Sequence, residues 1–227
     1  MRLLPAGPPA LAPAGGASSS FVGAWRTALA APPYRWRLLL VLGLLFGVLI
    51  PVVPGFYQWV QQRPGHHLPD PLLALLPRAN VAGPLFGLMY GASVFTIGFV
   101  LQRPVLLLRG FWAYLLLQAL RMLTLALLPL EAPLDALPLP DPFTELVLGA
   151  AAAPITKDLF FSGHTATAAL LALAVRGRWR WLLAAGCGAV GALVLVQRVH
   201  YSYDVLAAPF FAWAAYWLAG KISAGVR

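Results

Sequence analysis

Apolar stretches separated by short polar segments cover most of the chain. Six of them approach the roughly 20 residues that a helix needs to cross a bilayer. They lie at about 36–57, 81–101, 105–128, 160–175, 181–197 and 202–220. The pattern predicts an all-α integral membrane protein with six transmembrane helices. The shorter segment 143–155 contains Glu145 and Pro154, so we expect it to be a re-entrant or interfacial piece.

The N-terminal segment lacks such a pattern. It mixes Pro, Ala, Gly and Ser, and it has no apolar core of the length that a signal peptide needs. We therefore expect a flexible cytoplasmic tail at 1–34, followed by a six-span membrane domain at 35–221.

Composition supports the membrane assignment. Hydrophobic residues make up 60% of the chain and charged residues 10%, against roughly 25% charged in ordinary soluble proteins. The net charge of +9 would suggest nucleic acid in a soluble protein, but here the basic residues fall between apolar runs and we expect no nucleic-acid partner. The single Cys187 lies within an apolar run, so it can build neither a disulfide framework nor a cysteine metal site.

The basic residues also predict the orientation. With both termini in the cytoplasm, eleven of the sixteen lie on the cytoplasmic side, namely Arg2, Arg26, Arg35, Arg37, Arg103, Arg109, Arg176, Arg178, Arg180, Lys221 and Arg227. The other side receives Arg63, Arg78, Lys157 and Arg198, and Arg121 falls within the third span. This separation fits the positive-inside rule for six spans.

Acids and histidines fall on the opposite side. All seven acids and all four histidines are placed at the outer face or its membrane border: His66, His67, Asp70, Glu131, Asp135, Asp141, Glu145, Asp158, His164, His200 and Asp204. Ionisable groups beside membrane spans are costly unless paired or hydrated, which suggests a shared polar cavity. Solvated loops are the alternative, and we expect that alternative for the acids between 131 and 145.

His200 and Asp204 stand four residues apart at the start of the last predicted span. On a helix this spacing lets the carboxylate accept a hydrogen bond from one imidazole nitrogen. Such a contact fixes the tautomer of a histidine that acts as nucleophile or base. A structural pair, or a metal site completed by His164 and nearby acids, are the alternatives. A second histidine at the same membrane face favours catalysis.

That second histidine lies in "FSGHT", residues 161–165. Ser162 and Thr165 suit a helix N-terminus, and Gly163 allows backbone to approach a ligand closely. The segment therefore offers N–H groups and a positive dipole end to an anion, with His164 as proton donor or acceptor. The alternative is a capped helix whose histidine lies in the headgroup zone.

Four short segments carry a family resemblance: "LPD" at 68–70, "LRMLTLALLPL" at 120–130, "KDLFFSGHT" at 157–165 and "HYSYDV" at 200–205. In this order they resemble the lipid phosphate phosphatase superfamily and, within it, the sphingomyelin synthase branch. The branch motifs resemble Pro-Leu-Pro-Asp, Arg-x-x-Thr, Gly-Asp-Tyr-Leu-Phe-Ser-Gly-His-Thr and His-Tyr-Thr-x-Asp-Val. The chain departs from them at Lys157, where the branch has glycine, and at Ser202, where it has threonine. Ordinary phosphatases have proline and arginine at the positions of Phe161 and Val194, so the synthase-like pattern fits better.

The resemblance implies a lipid phosphatase-like helical bundle that moves a phosphorylated headgroup from a phospholipid to a lipid hydroxyl through a phosphohistidine. The expected catalytic residues are His164, His200 and Asp204, and the expected phosphate-binding residues are Arg121, Ser162, Gly163 and Arg198, with Asp158, Lys157 and Asp70 as secondary candidates. No metal or other cofactor is expected. An arginine near the centre of a span is about 2.5–3.5 kcal/mol unfavourable, so Arg121 requires a ligand or a named partner.

Two other classes of function remain open. A lipid phosphatase or phospholipase C-type hydrolase would use the same residues with water as the acceptor. A non-catalytic membrane binding or carrier protein would use the polar cluster for binding alone. The expected partners are a phospholipid donor, a lipid or water acceptor and the membrane. The expected location is a bacterial inner membrane, with the active site on the extracytoplasmic face.

Overall fold

A computed structural model describes residues 20–140 and 155–224, and the regular elements within these ranges are helices. In chain order they are α1 (Phe21–Ala30), α2 (Pro32–Leu44), a π-helical turn (Leu45–Leu49), α3 (Ile50–Gln62), α4 (Pro71–Leu75), α5 (Ala82–Leu101), α6 (Pro104–Leu127), α7 (Gly163–Ala174), α8 (Trp179–Val196) and α9 (Ser202–Ile222). The predicted re-entrant segment lies outside the described residues up to position 154, as do Asp141 and Glu145.

Five helices are long and apolar enough to cross a membrane: Pro32–Gln62, Ala82–Leu101, Pro104–Leu127, Trp179–Val196 and Ser202–Ile222. The prediction of an all-α integral membrane protein is confirmed. The fourth predicted span is shorter, because α7 has 12 residues and therefore extends about 18 Å. A bilayer has a hydrocarbon core of roughly 30 Å. The six-span count and the cytoplasmic termini stay predictions.

The first long helix departs from regular α-helical winding ahead of two prolines. Pro51 and Pro54 have no N–H to donate, and a proline ring crowds the carbonyl one turn earlier. The π turn Leu45–Leu49 lies directly before this region, where wider winding relieves that crowding. The helix then continues as α3, which brings Tyr57 to the side of α6.

Residues 21–34, within the predicted N-terminal tail, are helical apart from the junction at Ala31, while the division of the chain into a tail and a membrane domain stays a prediction. The Ser20 hydroxyl accepts a hydrogen bond from Gly23 N at 3.1 Å and so begins α1. Trp25 Nε1 donates to Leu101 O at 2.9 Å, and the buried Tyr34 hydroxyl donates to Pro104 O at 3.1 Å. These bonds fasten α1 and the start of α2 to the turn between α5 and α6.

The short helix α7 lies at the centre of the bundle and packs against α5, α6, α8 and α9. Its buried positions carry mostly alanine, namely Ala166, Ala168, Ala169, Ala172 and Ala174. Small side chains let neighbouring helices approach closely, as in other membrane bundles. Large apolar side chains lie on the outside, including Trp36, Phe46, Val94 and Leu206, which is the surface that lipid would cover.

The two ends of the bundle differ in charge. At one end α6 finishes and α7 and α9 begin; we call it the histidine end. The acids that the structure describes lie there, namely Asp70, Glu131, Asp135, Asp158 and Asp204, together with the histidines. The other end, where α6 begins and α7 and α9 finish, carries Arg103, Arg109, Arg176, Arg178, Arg180 and Lys221; we call it the arginine end.

Candidate active site at the histidine end

The start of α7 places His164 beside the other polar groups of this end. Ser162 is the N-cap: its Oγ accepts hydrogen bonds from Thr165 N at 3.3 Å and from Thr165 Oγ1 at 3.1 Å. The first amides of a helix have no intrahelical partner and point outward from its N-terminus. His164 therefore stands in the first turn of α7, next to a group of N–H donors.

His200 and Asp204 make the predicted contact. The distance from His200 Nδ1 to Asp204 Oδ2 is 3.2 Å, and both side chains are buried. The reason differs from the expected one, because α9 begins only at Ser202 and His200 precedes it. Asp204 instead closes a capping box, in which its Oδ2 accepts from Tyr201 N at 3.1 Å. With Nδ1 held by the carboxylate, Nε2 is the ring nitrogen left for chemistry.

The two histidines lie side by side. Their ring centroids are 6.4 Å apart and the rings are inclined at 67°. The ring of Phe86, on α5, lies 6.0 Å from that of His164. The predicted grouping of His164, His200 and Asp204 is therefore present in the structure, on α7, in the turn before α9, and on α9.

Arg121 is buried and reaches this group from α6. Its Nη2 forms an ion pair with Asp158 Oδ2, its Nη1 donates to Phe161 O at 3.0 Å, and its Nε donates to the Tyr57 hydroxyl at 3.4 Å. The Tyr57 hydroxyl in turn donates to Asp158 Oδ1 at 3.2 Å. Asp158 is thus the partner that a membrane-embedded arginine requires, and it also acts electrostatically on both histidines.

The structure gives a reason for a glycine at position 163 that the sequence did not indicate. A Cβ at this position would overlap the Arg121 guanidinium. We expected the glycine to let a ligand approach the backbone, whereas in the structure the space beside its Cα is occupied by Arg121. The glycine therefore allows the arginine to lie directly against the N-terminus of α7.

The loop before α7 has an unusual backbone. Phe160 and Phe161 have φ values of 64° and 45°, in the left-handed region that costs a bulky residue about 1–3 kcal/mol. Asp204 holds this loop: its Oδ1 accepts from Phe160 N at 3.2 Å and its main-chain O accepts from Ser162 N at 3.0 Å. The Phe161 ring also stacks on Phe211, with centroids 4.4 Å apart. Asp204 therefore orients His200 and fixes the loop that carries Asp158.

Residues 157–221 match the family model described as PAP2 superfamily C-terminal. The match supports the lipid phosphate phosphatase superfamily, and with it an enzyme of the lipid phosphatase or phosphotransferase type. The matched segment contains both histidines, Asp158 and Asp204, whereas Arg121 and Tyr57 lie outside it. No curated protein and no solved structure matches the chain.

Two predicted site residues within the PAP2-matching segment make contacts with loops that lie outside it. Lys157 Nζ forms an ion pair with Glu131 at 2.7 Å and donates to Arg63 O at 2.6 Å. Its hydrogen bond to Glu131 keeps the pKa of that carboxyl below its ordinary value. Arg198 donates to Leu76 O at 2.7 Å and lies 3.6 Å from Asp135 Oδ2.

Asp70 joins two helix starts. Its Oδ1 accepts from Leu73 N at 3.0 Å and caps α4, while Oδ2 accepts from Ser202 N at 2.6 Å and so also caps α9. Burial alone would raise the pKa of Asp70, but the hydrogen bonds from Ser202 and Leu73 hold it below the ordinary 3.8. The contacts of Asp70 are those of a residue that positions the start of α9, two residues after His200.

Two further findings complete the site. Tyr57 was missed by sequence reasoning, since the only signal is a hydroxyl-bearing aromatic residue within an apolar span. Within residues 20–140 and 155–224, no group of three or more His, Cys, Asp or Glu side chains could hold a metal ion. That the reaction uses no metal stays a prediction.

Proposed function

We propose that the protein is a membrane lipid phosphotransferase of the sphingomyelin synthase-like type, with residues 35–221 as its catalytic domain. The observation that carries the proposal is the meeting of His164 with the His200–Asp204 pair, beside the buried Arg121. The donor would be a phospholipid and the acceptor a lipid hydroxyl.

In the first half of the reaction, His200 Nε2 attacks the phosphorus of the headgroup ester. The bond between phosphorus and the diacylglycerol oxygen breaks, its electron pair stays on that oxygen, and protonated His164 supplies the proton. Asp204 holds Nδ1–H of His200 and stabilises the positive charge that forms on the ring. The products of this half are diacylglycerol and a phosphohistidine.

In the second half, the acceptor hydroxyl attacks the phosphohistidine. His164, now neutral, takes the hydroxyl proton, and the electron pair of the phosphorus–nitrogen bond returns to His200. Arg121 and the first amides of α7 would meet the charge on the phosphoryl oxygens, because a guanidinium fork and a helix N-terminus both suit phosphate. Ser162 and Arg198 remain candidates for the same task.

Hydrolysis is the second candidate, because water can replace the lipid hydroxyl without any change in these residues. The match to a superfamily of lipid phosphatases favours it. Purified protein in mixed micelles, given phospholipid with a labelled headgroup, separates the two when the products are resolved by thin-layer chromatography. Label that moves to added ceramide or diacylglycerol supports transfer, and label released into water supports hydrolysis. Absence of turnover, matching that of His200→Ala, would leave a binding or carrier function.

We further propose that the histidine end is extracytoplasmic, in a bacterial inner membrane with both termini inside. The support is the distribution of basic residues, which collect at the arginine end. His66→Cys should react with a membrane-impermeant thiol reagent in intact cells and Arg178→Cys should not. The native Cys187 is buried and provides the background. The reverse labelling pattern contradicts this orientation.

A further inference from the structure

A cavity lies at the arginine end, at the other end of the helices that carry the candidate active site. It has a volume of about 240 Å³ and is lined by Arg109, Arg176, Arg180, Trp213, Tyr216 and Trp217, among others. Arg109 and Arg121 both lie on α6 and are twelve residues apart, which corresponds to roughly 18 Å along the helix. The cavity is therefore distinct from the histidine site.

The three arginines of this cavity have no acidic partner among the described residues, whose acids all lie at the histidine end. Arg109 is held in place: its Nε and Nη2 donate to Tyr216 O at 3.2 and 3.0 Å, and its Cζ lies 3.7 Å from the Tyr216 ring centroid. These bonds use two of the five N–H donors of a guanidinium, so three remain. Arg176 and Arg180 are exposed. The cavity thus presents a fixed guanidinium and two adjustable ones.

Gly220 gives a second sign that Arg109 is built into the fold. A Cβ at position 220 would lie 2.7 Å from Arg109 Nη2 and 2.9 Å from its Cζ. The glycine therefore lets the guanidinium approach α9 closely, as Gly163 lets Arg121 approach α7 at the other end. The remaining N–H donors of Arg109 are available to an anion, and the described chain supplies no carboxylate there.

The aromatic residues indicate where that anion comes from. Trp213 and Trp217 lie on α9 with exposed fractions of 52% and 47%, next to the exposed apolar side chains that face lipid. Trp217 lies five residues before the end of α9, roughly 8 Å along the helix axis, which is the level at which tryptophan typically meets the headgroups. Trp213 lies one turn deeper. The cavity lining thus includes two tryptophans that are exposed on the apolar face of α9, and basic pockets between transmembrane helices suit phospholipid headgroups.

We propose that this cavity binds the phosphate headgroup of an anionic phospholipid from the leaflet opposite the histidine site. Arg109, Arg176 and Arg180 meet the phosphate, Trp217 contacts the glycerol region, and the acyl chains remain in the bilayer along α9, beside Trp213. The proposal does not depend on the reaction at His200.

The test uses the full chain in phosphatidylcholine vesicles that contain a graded fraction of phosphatidylglycerol brominated near the headgroup end of its chains. Bromine quenches the fluorescence of nearby tryptophan. If the anionic lipid binds in the cavity, the fluorescence loss should exceed the loss expected from the mole fraction of brominated lipid in the bilayer. The double variant Arg176→Gln/Arg180→Gln loses two guanidiniums, each worth about 1 kcal/mol of attraction to an anionic lipid. Its apparent affinity for the brominated phosphatidylglycerol should therefore be roughly 30-fold weaker than that of the wild type. Trp213→Phe/Trp217→Phe should remove the excess quenching.

A matched control removes two charges at the same end without touching the cavity. Arg103 and Arg178 lie over the rings of Phe99 and Trp179 and do not line it, so Arg103→Gln/Arg178→Gln should keep the wild-type affinity. Equal loss in both double variants would mean attraction by surface charge and overturn the site. Equal quenching by brominated phosphatidylcholine would overturn the preference for an anionic lipid. Relief of quenching by inorganic phosphate or glycerol 3-phosphate alone would assign the cavity to a soluble phosphate.

Discussion

Gly163→Ala offers the sharpest test of the arrangement around Arg121. The new methyl group would overlap the guanidinium, which cannot withdraw without losing contacts to Asp158, Phe161 O or Tyr57. A hydrogen bond to a charged group is worth about 1.5–3 kcal/mol. If the displaced arginine loses one such bond to the substrate phosphate, turnover should fall roughly 10- to 150-fold, at 1.36 kcal/mol per factor of ten.

The assay is the initial rate of labelled phospholipid turnover in mixed micelles, measured together with the thermal unfolding temperature. Gly188→Ala is the matched control, because its Cβ meets no heavy atom within 4 Å and an alanine in a helix interior is favourable by roughly 0.5–1 kcal/mol. That variant should unfold at the same or a higher temperature and keep full activity.

A double variant separates the overlap from other effects of the alanine. Arg121→Lys removes the wide guanidinium, so adding Gly163→Ala to it should cause little further loss. Contacting residues give such non-additive effects, whereas independent ones add. Full activity of Gly163→Ala alone, or strictly additive losses in the double variant, would refute the reasoning.

Three further predictions concern other parts of the site. His164→Ala should abolish turnover of a lipid ester but partly spare a nitrophenyl phosphoester, whose leaving group needs no proton; equal loss on both, in parallel rate assays, would remove it as the proton donor. Asp204→Asn should slow turnover and also lower the unfolding temperature, because an amide nitrogen must then face the N–H of Phe160 or Tyr201. An unchanged unfolding temperature would contradict the role of Asp204 in holding the loop before α7. Asp70→Asn should destabilise the protein at neutral pH. The lowered pKa of Asp70 means that its stabilisation is complete above its ordinary value and disappears as the pH falls through the lowered one, so unfolding curves of variant and wild type should converge in acid.

The sequence was sufficient to predict the contact between His200 and Asp204, although by a partly wrong route. A spacing of four residues on a helix predicts a contact between His200 and Asp204, and the contact exists. The helix begins two residues after His200, however, and the contact arises from an N-terminal capping box. Both geometries bring residues four apart together, so spacing alone could not distinguish them.

The partners of Arg121 could not be predicted in the same way. Membrane energetics required an anion, but Asp158 lies 37 residues away along the chain and Tyr57 lies 64 away. Only the packing of α3 and the loop before α7 against α6 brings them together. The role of Gly163 depends on the same packing, because a glycine reveals what fills the space of its missing side chain only when the neighbour is known.

The length of α7 also escaped the hydropathy pattern. Residues 160–175 are apolar enough to be taken as a span, yet the first three form a loop whose two phenylalanines have positive φ. A phenylalanine in the sequence does not indicate a positive φ, since the presence of an aromatic residue in an apolar segment is normally explained by burial and ring stacking. The hydrogen bonds from this loop to Asp204 and Arg121 join residues that are far apart in the sequence, so the local sequence pattern could not predict them.

The depth of Arg121 has a consequence for how such an enzyme would meet its substrate. Arg121 lies six residues before the end of α6, roughly 9 Å along the helix axis, and α7 begins beside it rather than at the level of the neighbouring helix ends. A phospholipid could thus present its phosphorus while its chains stay among other lipids. Its supply would then be set by lateral diffusion, and turnover would follow the mole fraction of substrate in the bilayer. Diluting the donor with inert lipid should slow the reaction even when the total amount of donor in the sample is unchanged.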